Sequence, residues 1–301
     1  MDAVVFGNVT LDTLCYPVDD VPRNESISFE RAIVAPGGCG SNVAIGLCAL
    51  GVETALVARL GTDDAAVLVE RYWERVGLDT RFVRRLIDAP TAVSVGLVDS
   101  DAQPRFVHTP GANATLSVGD LDIPALVAEG ARILHVGAFL VLPGVSGEQL
   151  AGQLAEARTH GLLTSLDVAI SRNRSKPADL WPCLPHVDFF FCNAREAHYL
   201  TGVGDPVEAA RALRSRGAWA VVLKLGADGC WVEGDGLSKH VPGLPAEVVD
   251  TTGAGDAFAA GFIASMLRDN DLPSACRAGS AAGARVVSAF GAVGAWFQGP
   301  A

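Results

Sequence analysis

The sequence predicts an α/β protein: a three-layer arrangement with a mainly parallel central sheet between helices, and a small β-sheet lid projecting from it. Three observations carry this expectation. Short runs that read as buried strands alternate with helical stretches along most of the chain, the pattern of parallel strands joined by helical crossovers. Two stretches, 17–35 and 91–108, break the alternation with β-type residues and no following helix. A glycine-rich loop, Asp250-Thr-Thr-Gly-Ala-Gly-Asp256, runs directly into a long apolar segment.

The predicted central strands are Ala3–Phe6, Thr54–Ala58, Ile133–Val136, Leu163–Leu166, Phe189–Cys192 and Ala220–Leu223. They are short and largely apolar without strict alternation, as strands covered on both faces should be. Between them, Ser41–Leu50, Asp63–Val76, Gly147–His160, Ala194–Leu200 and Val207–Arg216 read as helices. In the second interrupting stretch, Thr91–Asp99 and Arg105–His108 flank a polar turn and predict a hairpin. The first stretch offers Ser26–Val34 as a further strand. Because both follow strands whose ends would border a site, they read as a lid; a plain edge extension is the alternative. Near the C-terminus, Ala246–Asp250 reads as a short strand, and Ala257–Leu267, apolar on every side, as a buried helix. No linker rich in Pro, Gly or Ser divides the chain, so residues 1–301 are expected to form one domain.

Composition narrows the function. At 301 residues with half of them hydrophobic, the chain is long enough to bury a large core. A net charge of −11 and the lack of a basic stripe argue against nucleic acid as a partner. No apolar run is long enough for a membrane span, and Met1–Asn8 lacks the basic start and long apolar stretch of a secretory leader. Seven cysteines are scattered and never spaced C-x-x-C, as expected of reduced thiols. A soluble cytoplasmic protein is therefore expected.

The loop at 250–256 is the most informative chemistry. Its glycines allow close backbone approach, and the first amides of the following helix lack internal partners and carry the positive end of its dipole. That is an anion site, with phosphate as the usual guest. Asp256, an acid at the mouth of such a site, makes sense as a base that deprotonates a hydroxyl attacking the phosphate; the helix end should help keep it ionised. From this loop alone an ordinary N-cap remains the alternative.

Other segments bear on the choice. Asp12, just past the first strand, suits substrate hydroxyls, since ligands in open parallel sheets bind at the carboxyl ends of strands. In Pro36–Gly51 the Gly37-Gly38 pair permits a sharp turn, and Asn42 falls in the first turn of a helix with small residues along one side. This segment only partly matches a dinucleotide-binding fingerprint: the third glycine and the following acid are missing, which weakens an oxidoreductase reading.

Together, Gly37–Gly51 and Asp250–Asp256 resemble the two signature motifs of the ribokinase-like (PfkB) family of carbohydrate kinases. Asn193-Ala-Arg-Glu196, Lys224-Leu-Gly-Ala-Asp-Gly229 and Gly111-Ala-Asn113 resemble the intermediate motifs, so the likeness spans essentially the whole chain. There is no G-x-x-x-x-G-K-[ST] segment, which excludes the P-loop kinases.

The resemblance implies a ribokinase-like fold and an ATP-dependent sugar kinase. It assigns Asp256 as the catalytic base and the amides around Gly253, Ala254, Gly255 and Asp256 as the anion hole for the transferring phosphoryl group. Asp12, Gly38, Asn42 and Asn113 fall where members hold the acceptor. Asn193 and Glu196 correspond to a motif that positions Mg²⁺ and phosphate oxygens, mainly through water; read bare, they form a helix cap. Lys224, Gly226 and Gly229 belong to a turn running under the nucleotide; read bare, it is a hairpin turn. Asp250 and Thr252, with the loop near Gly291–Gly294, match a monovalent-cation site that some members use with K⁺. Homodimers through the lid are frequent in the family.

Some positions depart from the family pattern. Asp167-Val-Ala-Ile-Ser-Arg172 has Ala169 where many members have Asn. Gly137-Ala-Phe-Leu140 puts Phe139 where ribokinase itself has an acidic ligand, implying a more apolar pocket wall that stacks on a sugar or a base. Arg105 and Arg172 are candidates to meet a phosphate on the acceptor, though solvated surface arginines are the simpler reading. His108, His135 and His198 have no arranged partner and read as structural. A free sugar is the first expectation for the acceptor, followed by a nucleoside and then a sugar phosphate. A non-catalytic binding homologue is the remote alternative.

Overall fold

The structure, a computed structural model, describes residues 1–171, 175–234, 236–269 and 271–298. The strands in chain order are β1 (Ala3–Phe6), β2 (Thr10–Tyr16), β3 (Arg31–Gly37), β4 (Thr54–Gly61), β5 (Val83–Leu86), β6 (Val93–Val98), β7 (Pro104–His108), β8 (Ile133–Val136), β9 (Leu163–Asp167), β10 (Phe189–Asn193), β11 (Ala220–Lys224), β12 (Cys230–Gly234) and β13 (Leu237–Val241). The helices are α1 (Cys39–Ala49), α2 (Asp64–Val76), α3 (Ile123–Ala128), α4 (Gly147–Thr159), α5 (Ala194–Thr201), α6 (Pro206–Arg214), α7 (Ala254–Asp269) and α8 (Leu272–Val287).

Among the described residues, nine strands form the main sheet in the order β13-β12-β11-β10-β9-β8-β1-β4-β5. From β5 across to β11 every neighbouring pair is parallel, so the carboxyl ends of these strands share one edge. The pairs β11–β12 and β12–β13 are antiparallel, so β12 alone runs against the other described strands of this sheet. Alternate side chains feed two cores. Val5, Phe189, Phe191 and Val222 pack with α1, α7 and α8 on one face. Val4, Phe6, Phe190 and Val221 pack with α3, α4, α5 and α6 on the other. Burial on both faces explains why these strands lack the apolar–polar alternation of a half-exposed sheet.

A second sheet of four strands, in the order β3-β2-β6-β7, is the small sheet for which the sequence suggested the role of a lid. The hairpin expected within 91–108 is β6–β7. The first lid segment starts earlier than the sequence suggested: β2 begins at Thr10 and pairs parallel with β6, and β3 runs only from Arg31. Asp12 therefore sits on a lid strand rather than in a loop past β1. Several contacts fasten this sheet to the body, among them Tyr72 Oη of α2 donating to Val34 O at 3.4 Å. Arg31 lies 4.9 Å from the Tyr16 ring centroid and 4.5 Å from that of Phe290. At the hairpin tip, Ala102 O accepts from Thr251 Oγ1 at 3.4 Å.

Two expectations need correction. Ala246–Asp250 is not a strand: the sheet ends at β13, and the amides of Val249 and Asp250 donate instead to Val287 O at the end of α8. The sequence reading also missed α8, which Asp271 caps by accepting from the Ser274 amide, with proline in the first turn. That pair of residues is a recognisable start signal. All seven cysteines are free thiols. Among the described residues, no helix is long and apolar enough to cross a membrane.

His135 is fully buried in the middle of β8, its Nδ1 2.9 Å from Ser165 Oγ, and its Nε2 has no partner. Burial, aided by the charge of Lys224, pushes its pKa down to about 3 from 6.5. The unfolded chain thus takes up a proton near pH 6.5 that the native state refuses until about pH 3. This group's contribution to stability therefore declines as pH falls between those values, by up to about 1.4 kcal/mol per pH unit. Urea unfolding across pH 4–7 should show His135→Asn with a shallower acid loss than the parent chain.

Candidate active site

The site is assembled where the first turns of two helices meet. Gly253 enters α7 with φ of 78°, and a Cβ there would lie 2.7 Å from the Ala292 Cα, so glycine is required. Ala254 opens the helix and donates its amide to Thr251 O at 3.3 Å. The Gly255 and Asp256 amides donate to no acceptor among the described residues, which leaves them free for an anion. Opposite, α1 packs on α7 so closely that a Cβ on Gly46 would lie 2.9 Å from the Ala260 Cβ. This contact places Asn42 Nδ2 2.8 Å from Asp256 Oδ2. Asn42 Oδ1 is buried and unpartnered, an acceptor waiting for a donor.

Asp256 is half-buried at the mouth of the site. Burial raises its pKa, and the Asn42 hydrogen bond, the Lys224 charge and the Cys39 thiol pull it back only in part. The net direction is upward. Asp12 also shifts upward through burial, against hydrogen bonds from Thr10 and Ser94. Its carboxylate fills the space that a side chain at Gly37 would occupy.

A second cluster stands at the carboxyl ends of β9, β10 and β11. Lys224 closes β11 and reaches across β10, placing Nζ 2.7 Å from Oδ2 of Asp167, the last residue of β9. The same Nζ is 3.2 Å from where a Cβ on Gly255 would be, so the ammonium stands over the start of α7. Asp167 Oδ1 is buried without a partner. Asn193 and Glu196 form the cap expected of the bare residues: Asn193 Oδ1 accepts from the Glu196 amide at 2.9 Å, and Glu196 Oε2 from the Asn193 amide at 2.8 Å. Burial pushes Glu196 up to about 7 although Lys224 opposes it. Both residues line a cleft of about 220 Å³ with Ile170, Arg195 and Tyr199. Gly226 and Gly229 shape the turn between β11 and β12, so the hairpin reading of this turn also holds.

The profile described as "pfkB family carbohydrate kinase" matches residues 2–296. The chain belongs to this family. It is 33% identical to an ATP-dependent ribose-1-phosphate kinase from Halopiger xanaduensis over 95% of this chain and 92% of that one. It is 31% identical to a ribokinase from Mus musculus, over 85% and 78% of the two chains. Among solved structures, aminoimidazole riboside kinase from Salmonella enterica, bound to its riboside and an ATP analogue, superposes with a TM-score of 0.80 at 25% identity, covering 98% and 96%. Ribokinase from Thermotoga maritima superposes with a TM-score of 0.82 at 24% identity, covering 97% and 94%, which shows the shared fold. The protein is an ATP-dependent sugar kinase of the pfkB family.

In this kinase, Asp256, Gly253, Ala254, Gly255, Asn42 and Lys224 converge as the sequence implied, with Gly38 as the N-cap of α1 beneath them. Other residues lie elsewhere. Phe139 is 1% exposed within the core beside α4, so it has no face to offer a ligand, correcting its expected role as a pocket wall. Asn113 spends its amide on the backbone of Val9, accepting at 3.0 Å and donating at 2.7 Å. It thereby holds the chain between β1 and the Asp12 strand. Asp250 is fully buried, with Oδ1 accepting from the amide and hydroxyl of Thr252 and Oδ2 from the Gly291 amide. Arg105 is tied to the carbonyls of Val18 and Asp19, while Arg172 lies outside the described residues. His108 shares a cross-strand row with Ser94 and Asp12, and His198 Nδ1 lies 3.0 Å from Val203 O. The sequence reading gave no role to Asp167 or Cys39. For Asp167 the signal was present, an acid directly at the end of a predicted strand.

Gly253→Ala should destabilise the fold by about 1–2 kcal/mol from its left-handed backbone alone, with the Ala292 overlap adding to the loss. Gly255→Ala meets only the flexible end of Lys224 and should unfold near the parent midpoint. Chemical denaturation of the two variants checks the contrast.

Proposed function

We propose that this kinase transfers the γ-phosphoryl group of ATP to a hydroxyl of a free sugar, with Asp256 as catalytic base. The observation that carries this reading is the placement of Asp256, clamped by Asn42 beside the free amides of Gly255 and Asp256. The acceptor hydroxyl gives its proton to the carboxylate as its oxygen bonds to phosphorus. The bond from phosphorus to the bridging oxygen breaks, and ADP leaves with the electron pair. The amides and helix dipole stabilise charge on the phosphoryl oxygens, a contribution typically worth about 10²–10³ in rate.

A hydroxyl-rich acceptor is supported by the unpartnered Asn42 Oδ1 and by Asp12 on the overlying lid. Burial of Phe139 removes the residue that encouraged a nucleoside. The ribose-1-phosphate kinase relative keeps a sugar phosphate as the second reading, with His108 as the nearest candidate cation on the Asp12 row. Mg²⁺ accompanying ATP would offset the charge of the phosphates. The bare Asp167 Oδ1 and the Asn193–Glu196 pair fit that ion through water. Lid closure over the acceptor would exclude water and limit ATP hydrolysis.

Three further parts belong to this reading. Asp250, buried among neutral donors and facing the Gly291 loop, fits a nearby K⁺. The exposed Val34, Phe106 and Val107 on the lid fit a homodimer formed through it. Seven free thiols and a need for ATP suit the cytoplasm, and the acidic charge suits neither nucleic acid nor an anionic membrane.

The decisive experiment is ADP release across a panel of sugars, sugar phosphates and nucleosides. A free sugar should give the highest kcat/KM, and Asp256→Asn should lower turnover at least about a hundredfold with ATP affinity nearly unchanged. Turnover in that variant close to the parent would remove Asp256 from its role. Silence across the panel with ATP still bound would favour a non-catalytic binding homologue. Glu196 supplies a pH test. Its proton is held below about pH 7, so Mg²⁺-dependent nucleotide binding should weaken as pH falls through 7. Titrations of Glu196→Gln should show no such dependence.

A further inference from the structure

Resting on the kinase reading above, the geometry points to a second catalytic side chain. Three carboxylates, Asp167, Glu196 and Asp256, surround the space that must receive a polyanion, and all three feel the charge of one ammonium, Lys224. Among the described residues, the ion pair of Lys224 with Asp167 is the only one formed by a side chain of this group. Its ammonium also overhangs Gly255, next to the free amides of Gly255 and Asp256. A phosphoryl group seated on those amides meets Lys224 first.

The pair is built to be broken. Asp167 holds the ammonium through Oδ2 alone, while Oδ1, in a side chain only 7% exposed, has no partner. A buried bridge kept purely for structure would be expected to satisfy both oxygens. We propose that Lys224 is parked on Asp167 in the unliganded enzyme and turns to the transferring phosphoryl oxygens when nucleotide binds. Asp167 is then a positioning residue. Lysine keeps its proton throughout: it donates hydrogen bonds to phosphoryl oxygens as the bond to ADP breaks and the bond to the acceptor forms, and the acceptor's proton still goes to Asp256. Charge-assisted donors of this kind act where negative charge is held and redistributed in phosphoryl transfer.

Calorimetry with AMP-PNP and with ADP, both with Mg²⁺, tests the contact without knowledge of the acceptor. Lys224→Met should bind AMP-PNP about tenfold more weakly and ADP almost as the parent does. Turnover with the best acceptor of the panel should fall about a hundredfold or more. Because that variant strands Asp167 as a buried unpaired charge, Lys224→Met/Asp167→Asn is measured beside it. The double variant removes both charges, should unfold near the parent temperature, and should show the same two losses. Recovery of parental AMP-PNP binding and turnover in the double variant would reduce the pair to a structural bridge and overturn the proposal. Parental behaviour of Lys224→Met would do the same. A parent chain that binds neither nucleotide fails at the kinase reading, and the lysine's role falls with it. A parent that favours AMP-PNP over ADP, with variants that do not, supports the lysine whatever the acceptor proves to be.

Discussion

The close contact of α1 with α7 is the constraint on which the site depends. Gly46 faces Ala260 with no room for a β-carbon. On its other side α7 is equally tight, with the position of a Cβ on Gly261 only 2.5 Å from Ala278 O in α8. Small residues let three helices lie flush over one face of the sheet, while Phe258 and Phe262 of α7 pack with Phe191 of β10 beneath. The first turns of α1 and α7 then meet at the carboxyl edge of the parallel strands, and Asn42 reaches Asp256. Interiors are too densely packed to give way without consequence, so this contact transmits its geometry directly to Asn42 and Asp256.

Electrostatics sets the second condition. Burial raises the pKa of Asp12, Asp167, Glu196 and Asp256 alike, because water that would solvate them is largely excluded. Such crowding of acids is balanced by a compensating charge. Lys224 sits among three of the four, and burial, which would strip its proton, is outweighed by Asp167 and Glu196 and then Asp256. The ammonium keeps its charge, and the helix start supplies further positive potential.

Much of this was legible in the sequence, for identifiable reasons. The buried strands and the helices between them showed because continuous apolar runs and amphipathic segments are local signals, and Asn193 caps α5 as the bare residues implied. The glycine loop at 250–256 was legible because glycine takes the positive φ found at Gly253 without the steric cost other residues meet. The failures were non-local. Ala246–Asp250 has strand-like residues but pairs with no strand, its last two amides being taken by Val287 O at the end of α8. Phe139 lies in a motif at the edge of the pocket, yet the left-handed turn at Ala138 precedes a ring buried in the core. The Asp167–Lys224 pair joins residues 57 apart in sequence, and no periodicity announces such a meeting.

The two sheets divide the labour of the enzyme. Asp256, the α7 amides and Lys224 all hang from the main sheet and its helices, whereas Asp12, Ser94 and His108 lie in one row across the lid. The lid is a separate hydrogen-bonded unit, with no strand shared with the body. Substitutions on the row of Asp12, Ser94 and His108 can therefore change what the small sheet presents while leaving the strands and helices that hold Asp256 and Lys224 as they are.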